Sequence, residues 1–274
     1  MKSIKLLFAI LVILATSGCA SWLPQGAVKQ TGSVVDYLYP DSKSPPQMHE
    51  TVTYLRPPVR VGIAFVPGGN WSTGLPEAEK LKLLGRVKES FAKYAYIGGI
   101  EVIPTQYLSP KGGFANLGQV ARMFNVEVIA LLSYDQVQFN DSNALSLLYW
   151  TIVGAYIIHG DQYDIHTMVD ASVFDVRSQK LLFRAPGTSE VKGGASLSGF
   201  SEKSRVARMD GYNKAVDQLI PQLQTELESF KERIKTDASI KVQDKPGYSG
   251  GGGLGLLTLL MAMLFAWVAY VQRT

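Results

Sequence analysis

The sequence predicts an α/β protein: a single small mixed sheet flanked by helices, a long C-terminal helix, and an apolar segment at either end of the chain. Three observations predict it. Strand-type and helix-type apolar patterns alternate through residues 57–236. Val61-Gly62-Ile63-Ala64-Phe65-Val66 and Val128-Ile129-Ala130-Leu131-Leu132 are nearly all apolar, as strands covered on both faces are. Residues 202–234 place apolar side chains at intervals of three and four, which puts them on one face of a long helix. The order strand, helix, strand, helix, strand, strand, strand, long helix suits one α/β layer pairing.

The elements follow in order. Residues 1–18 read as a signal peptide. Lys2 and Lys5 form a basic start, residues 6–14 are an apolar run too short to span a bilayer, and Ala15-Thr16-Ser17-Gly18 are small residues before Cys19. Residues 19–56 read as a tether, because Pro24, Gly26, Pro40, Pro45 and Pro46 interrupt regular structure. Within it, Val34, Val35, Tyr37, Leu38 and Tyr39 are expected to pack on the domain or pair at a sheet edge. Pro57-Pro58 marks the start of the α/β domain, 57–236.

The first strand is 60–67. A Gly68-Gly69 loop leads to Pro76, tolerated in a helix's first turn, and to a helix running to about Tyr96 with Leu81, Leu84, Val87, Phe91 and Tyr94 on its apolar face. Gly98-Gly99 is expected to end it, before a strand over 100–108. Asn116 is expected to cap a shorter helix carrying Leu117, Val120 and Phe124. Residues 126–139 read as a long strand, first almost continuously apolar and then alternating, as when only one face stays buried. The apolar patch 145–158 has two readings, a packed helix or hairpin and a membrane-touching insertion; it is short for a span. Residues 163–176 and 180–191 form a hairpin around Asp175–Gln179, and 192–201 a Gly/Ser loop. The long helix carries Val206, Met209, Tyr212, Val216, Leu219, Leu223, Leu227, Phe230 and Ile234, with a kink expected at Pro221. Residues 237–249 read as a polar linker.

The tail, 250–274, begins with Gly250-Gly251-Gly252-Gly253. Four glycines hold no helix and leave a backbone that proteases reach. Residues 254–271 carry no charge and span ~27 Å as a helix, near the ~30 Å bilayer core. Arg273 then places the C-terminus on the cytoplasmic side.

Composition excludes several classes. The chain of 274 residues has a formal net charge of +4. Its 27 Lys and Arg fall to 24 once Lys2, Lys5 and Arg273 are set aside, against 23 Asp and Glu, so the body is near neutral. No nucleic-acid partner is expected. Cys19 is the sole cysteine, so the body has no disulfide and no thiolate metal site.

Chemical motifs are sparse. His159, Asp161, Asp164 and His166 lie within eight residues, but no third anchored ligand is evident, so they read as a polar loop leading into a strand. The Gly68-Gly69 loop has no Gly-Lys-Ser/Thr after it and reads as a turn rather than a phosphate cradle. Ser196-Leu197-Ser198-Gly199 is not a Gly-x-Ser-x-Gly elbow, and His49 lies in the tether. No enzyme, cofactor, catalytic residue or metal is expected.

Five stretches carry four resemblances to known families. Small residues directly before Cys19 resemble the bacterial lipobox, with Thr16 where that motif has Leu; the resemblance implies cleavage before Cys19 and its acylation, palmitate included. Plain secretion with cleavage near Ala20 is the alternative. Glycine cluster, apolar helix and basic end resemble the GlyGly-CTERM sorting tail, which implies cutting at Gly250–Gly253 by a rhomboid-type protease, rhombosortase; a plain C-terminal anchor is the alternative. The two signals together resemble the rhombotarget lipoproteins. Val61–Val66, Val126–Ala130 and Ser172–Leu181 resemble the small α/β domain of periplasmic lipoproteins such as the curli secretion channel and the activators of penicillin-binding proteins.

These resemblances imply a non-enzymatic envelope lipoprotein on the periplasmic side, held first in the inner membrane and then in the outer membrane or at the cell surface. Its partners would be the lipoprotein-processing enzymes, rhombosortase and the membrane, with the α/β domain used for binding or assembly. The alternative is an oligomeric channel or envelope-assembly component, a homo-oligomer that inserts 145–158 into membrane.

Overall fold

The computed structural model describes residues 26–40, 52–68, 75–142, 161–196, 199–246 and 248. The patch 145–158, the signal peptide with Cys19, and the tail from Ser249 onward lie outside them. Among the described residues no helix is long and apolar enough to cross a membrane.

The described chain is a mixed α/β fold. A six-stranded sheet has the order β4-β3-β5-β6-β7, with β1 also paired to β5. The strands are β1 (Gly26–Gly32), β3 (Val59–Phe65), β4 (Ile97–Val102), β5 (Val128–Ser142), β6 (Asp161–Asp175) and β7 (Leu181–Ala195). A separate parallel pair joins β2 (Thr53–Leu55) to β8 (Ile240–Val242). The helices are α1 (Val34–Leu38), α2 (Glu77–Phe91), α3 (Gly113–Met123) and α4 (Phe200–Arg233).

Strand β5 is the axis. Its first part, Val128 to Leu132, pairs in parallel with β3, and the same edge from Tyr134 to Asn140 pairs antiparallel with β1. Its other edge pairs with β6 along its full length, Val128↔Asp175 to Ser142↔Asp161. The switch in pattern along β5 has a packing cause. Val128, Ala130 and Leu132 pack under α2 and α4, while Ile129 and Leu131 pack under α1 and α3. Beyond Leu132 only the α4 face stays covered, so Tyr134, Gln136 and Gln138 are buried and Phe139 is exposed.

Several expectations are corrected. The stretch read as a tether carries β1, α1 and β2, and the stretch read as a linker carries β8. β1 belongs to the main sheet because its backbone completes an edge of β5 that β3 leaves unpaired. Helix α2 stops at Phe91, five residues early, because Tyr96 O accepts from Val59 N at 2.9 Å and the chain there already belongs to the sheet. Gly98 and Gly99 lie inside β4. A Cβ on Gly98 would stand 3.1 Å from Pro58 O, so the glycine serves a close approach, not a helix stop. Asn116 sits within α3, not at its cap. Its Oδ1 accepts from Ser109 N and from Tyr37 Oη, each at 2.9 Å, which ties α1 to the α3 approach. β4 ends at Val102, and a 3₁₀ turn, Thr105–Tyr107, replaces the rest of the expected strand. β7 continues to Ala195, into the expected loop. Val206 is exposed, and the buried line of α4 runs through Ala207, Gly211 and Ala215 instead. Pro221 lies within α4 on its exposed side.

Candidate functional site

Three features of the fold bear on function: the two ends of the sheet, its uncovered face, and an apolar cavity.

The ends are defined by register. Gly26 of β1 pairs with Asn140, and Ser142 with Asp161. The chain therefore arrives from Cys19, through the six residues 20–25, at the Ser142 end of β5. Residues 143–160 leave and return at that same end. The C-terminal exit is at the other, proximal end, the Ser142 end being the distal one. Lys245 N donates to Pro57 O at 2.9 Å, and its Nζ donates to Pro58 O at 3.0 Å and pairs with Glu127 at 2.9 Å. Glu127 immediately precedes β5. The fourteen steps of β5 separate the two ends by ~45 Å.

The uncovered face lies on the distal half of the sheet, where no helix among the described residues packs. Asp164, His166 and Glu190 meet there, their ligand-type atoms within 4.8 Å of one another. The sequence groups Asp164 with His166 but gives no sign of Glu190, which only the β6–β7 register, His166↔Glu190, delivers. Lys192 already occupies the group: its Nζ lies 3.4 Å from Asp164 Oδ2 and is bonded to Glu190. These contacts raise the Lys192 pKa and lower that of Glu190. The cluster thus carries its own cation. His159 lies outside the described residues, as do His49, Gly69, Leu197, Ser198, Cys19 and Gly250–Gly253.

The cavity lies at the proximal end, between the sheet and the C-terminal halves of α2 and α4. Its volume is about 240 Å³. Val59, Val61 and Ile63 of β3, with Ile97 and Ile100 of β4, form part of its floor. Phe91 of α2 and Leu223, Leu227 and Phe230 of α4 form its walls, and Leu55 and Val242 of the small sheet border it. Arg86 binds Asn213 at 3.1 Å and pairs with Asp217, and Gln224 donates to Ser90 O at 3.4 Å; these bonds tie α2 to α4. Past them α2 ends while α4 continues, which leaves the space. Its polar side chains are Tyr96, Lys88 and Lys231. Tyr96 Oη is buried without a hydrogen-bond partner, its pKa is raised by burial, and Lys231 Nζ lies 5.2 Å from its ring centre. The sequence shows each apolar face; the gap arises only because α2 ends early.

No family model matches the chain, and no curated protein matches it in sequence. Solved structures resemble it distantly. A neuraminyllactose-binding hemagglutinin homolog from Helicobacter pylori is 8% identical at a TM-score of 0.40, over 71% of this chain and 96% of that one. The PelC dodecamer from Paraburkholderia phytofirmans is 12% identical at 0.27, over 71% and 96%. Lipoprotein GNA1162 from Neisseria meningitidis is 11% identical at 0.21, over 56% and 98%. Likenesses at these scores carry no functional argument.

Proposed function

We propose that the chain is a non-enzymatic bacterial envelope lipoprotein, acylated at Cys19 and cut within Gly250–Gly253 by a rhomboid-type sorting protease, with an α/β body for binding or assembly. The observation that carries the reading is the pair of terminal signals, each joined to the fold by a short spacer. Residues 20–25 reach ~20 Å from the distal end, and residues 246–253 reach ~28 Å from the proximal end. With both anchors in one membrane, the ~45 Å axis of β5 lies within about 40° of the membrane plane. Cutting the tail releases the proximal end and leaves the body held by lipid alone. More than one acyl chain makes that hold stable.

Intact mass spectrometry of membrane fractions from the native host tests this. A species that begins at acylated Cys19 and ends within Gly250–Gly253 is expected. A species that retains 254–271 would make the tail a permanent anchor and end the sorting reading.

The register favours one second reading. Because β5 and β6 stay paired to Ser142↔Asp161, the apolar patch 145–158 departs from the same end as the acylated N-terminus. In this reading the patch enters the membrane and the protein assembles as a channel or envelope component. Ring-shaped oligomers in detergent are its expected outcome; a single monomeric species would exclude it.

A further inference from the structure

The apolar cavity has no role in the terminal processing described above. We infer that it binds one acyl chain of a fatty-acid-type amphiphile, with the carboxylate held at Lys88 and Lys231. The wall chemistry selects an alkyl chain over a peptide. A peptide brings an N–H and a C=O per residue, and each would lie unpaired against Val, Ile, Leu and Phe side chains. Tyr96 Oη is the one uncharged side-chain polar group in the described lining, and it lacks a partner. It matches a single head group at the end of a chain that needs no other polar contact.

Size and charge narrow the class further. At about 240 Å³ the cavity is smaller than the ~300–1,000 Å³ typical of drug-sized ligands, so it takes a slim chain rather than a ring system or two chains. The described lining contains two lysines and no acidic residue. Lys231 is also paired with Glu228 at 2.8 Å, so Lys88 supplies the cation not bound to that carboxylate. Val59, Val61, Ile97, Ile100 and Ile234 are only partly buried although they adjoin the core. An alkyl chain completes their burial, and each methylene that does so strengthens binding about fourfold, from ~0.8 kcal/mol per buried CH₂.

The ligand's source rests on the envelope reading, since the cavity lies at the end from which the tail leaves for the membrane; the binding itself does not. The test is photolabelling of the full chain in phosphatidylcholine vesicles with a diazirine-bearing fatty acid, followed by peptide mass spectrometry. Adducts are expected on peptides carrying Phe91, Leu223, Leu227 and Phe230. Leu227→Trp, which fills the space, is expected to cut that labelling at least tenfold. Lys88→Glu with Lys231→Glu is expected to cut it at least fivefold for the acid and to leave labelling by its methyl ester unchanged. Adducts elsewhere on the body, or unchanged adducts in a natively folded Leu227→Trp, would overturn the inference. Labelling of 254–271 reports separately on the membrane anchor, so failure of that reading is distinguishable.

Discussion

Gly187 sets the distance between β7 and α4. A methyl group there would meet Leu219 N at 2.6 Å and Leu219 Cβ at 2.8 Å, and Ala215 O closer still. Carbon contacts are comfortable from ~3.5 Å, so Gly187→Ala requires α4 to withdraw by at least about 0.9 Å at Leu219 N, and by more at Ala215 O. Two of the three atoms belong to helix backbone and cannot rotate away. The withdrawal would loosen Ala215, Val216 and Leu219, each fully buried against the sheet. Overpacking of this kind costs ~1–3 kcal/mol. At ~2 kcal/mol, a body of this size loses about 4–8 °C of Tm. The assay is thermal unfolding of the full chain in one detergent, followed by circular dichroism. Gly85→Ala is the internal reference. Gly85 lies within α2 with nothing within 4 Å of an added Cβ, so alanine is expected to stabilise by ~0.5–1 kcal/mol. If Gly187→Ala melts no lower than wild type while Gly85→Ala melts higher, α4 does not stand on β7 at this distance. The wall of the cavity would then be misplaced as well.

Other outcomes follow from the same contacts. Arg184 donates to Asp170 Oδ1 at 3.1 and 3.0 Å, and the Asp170 side chain is only 10% exposed. Arg184→Ala is expected to cost ~1–2 kcal/mol by urea unfolding, the lower part of the range because Arg184 itself is largely exposed; an unchanged midpoint would deny the pair any weight. Burial raises the pKa of Tyr37, Tyr134 and Tyr212. Unfolded tyrosines ionise near pH 10 and these do not, so stability is full below pH 10 and falls as pH rises beyond it. Absorbance at 295 nm should show the three titrating only with unfolding; titration near pH 10 in the folded state would contradict their burial. Cys19→Ser is expected to abolish acylation and, in a chain lacking 250–274, to move the protein from membrane to soluble fractions. Zinc calorimetry is expected to show at least tenfold tighter binding for Lys192→Ala than for wild type, since Lys192 competes for Asp164 and Glu190; equal affinities would mean that Lys192 does not hold those carboxylates against a metal.

Much of the fold was legible because it rests on local pattern. The continuous apolar runs of β3 and β5, the hairpin turn after Asp175 and the three-and-four spacing of α4 are each dictated within one segment. What was missed depends on partners far away in the chain. β1 reads as a tether because Gly26 and Gly32 flank only five residues, of which Lys29, Gln30 and Thr31 are polar, and only the free edge of β5 makes it a strand. The apolar pattern of α2 continues to Tyr94, yet hydrogen bonding of Tyr96 to Val59 claims the backbone for the sheet. Glu190 joins Asp164 and His166 only through strand register.

By itself the sequence determined the layer class, the order of the main elements and the near-neutral body, because these follow from periodicity and charge. Only the tertiary structure decided that the two ends leave from opposite poles and that an apolar cavity opens beside one of them. Both depend on which edge pairs with which and on where α2 stops relative to α4, and no single segment carries that information.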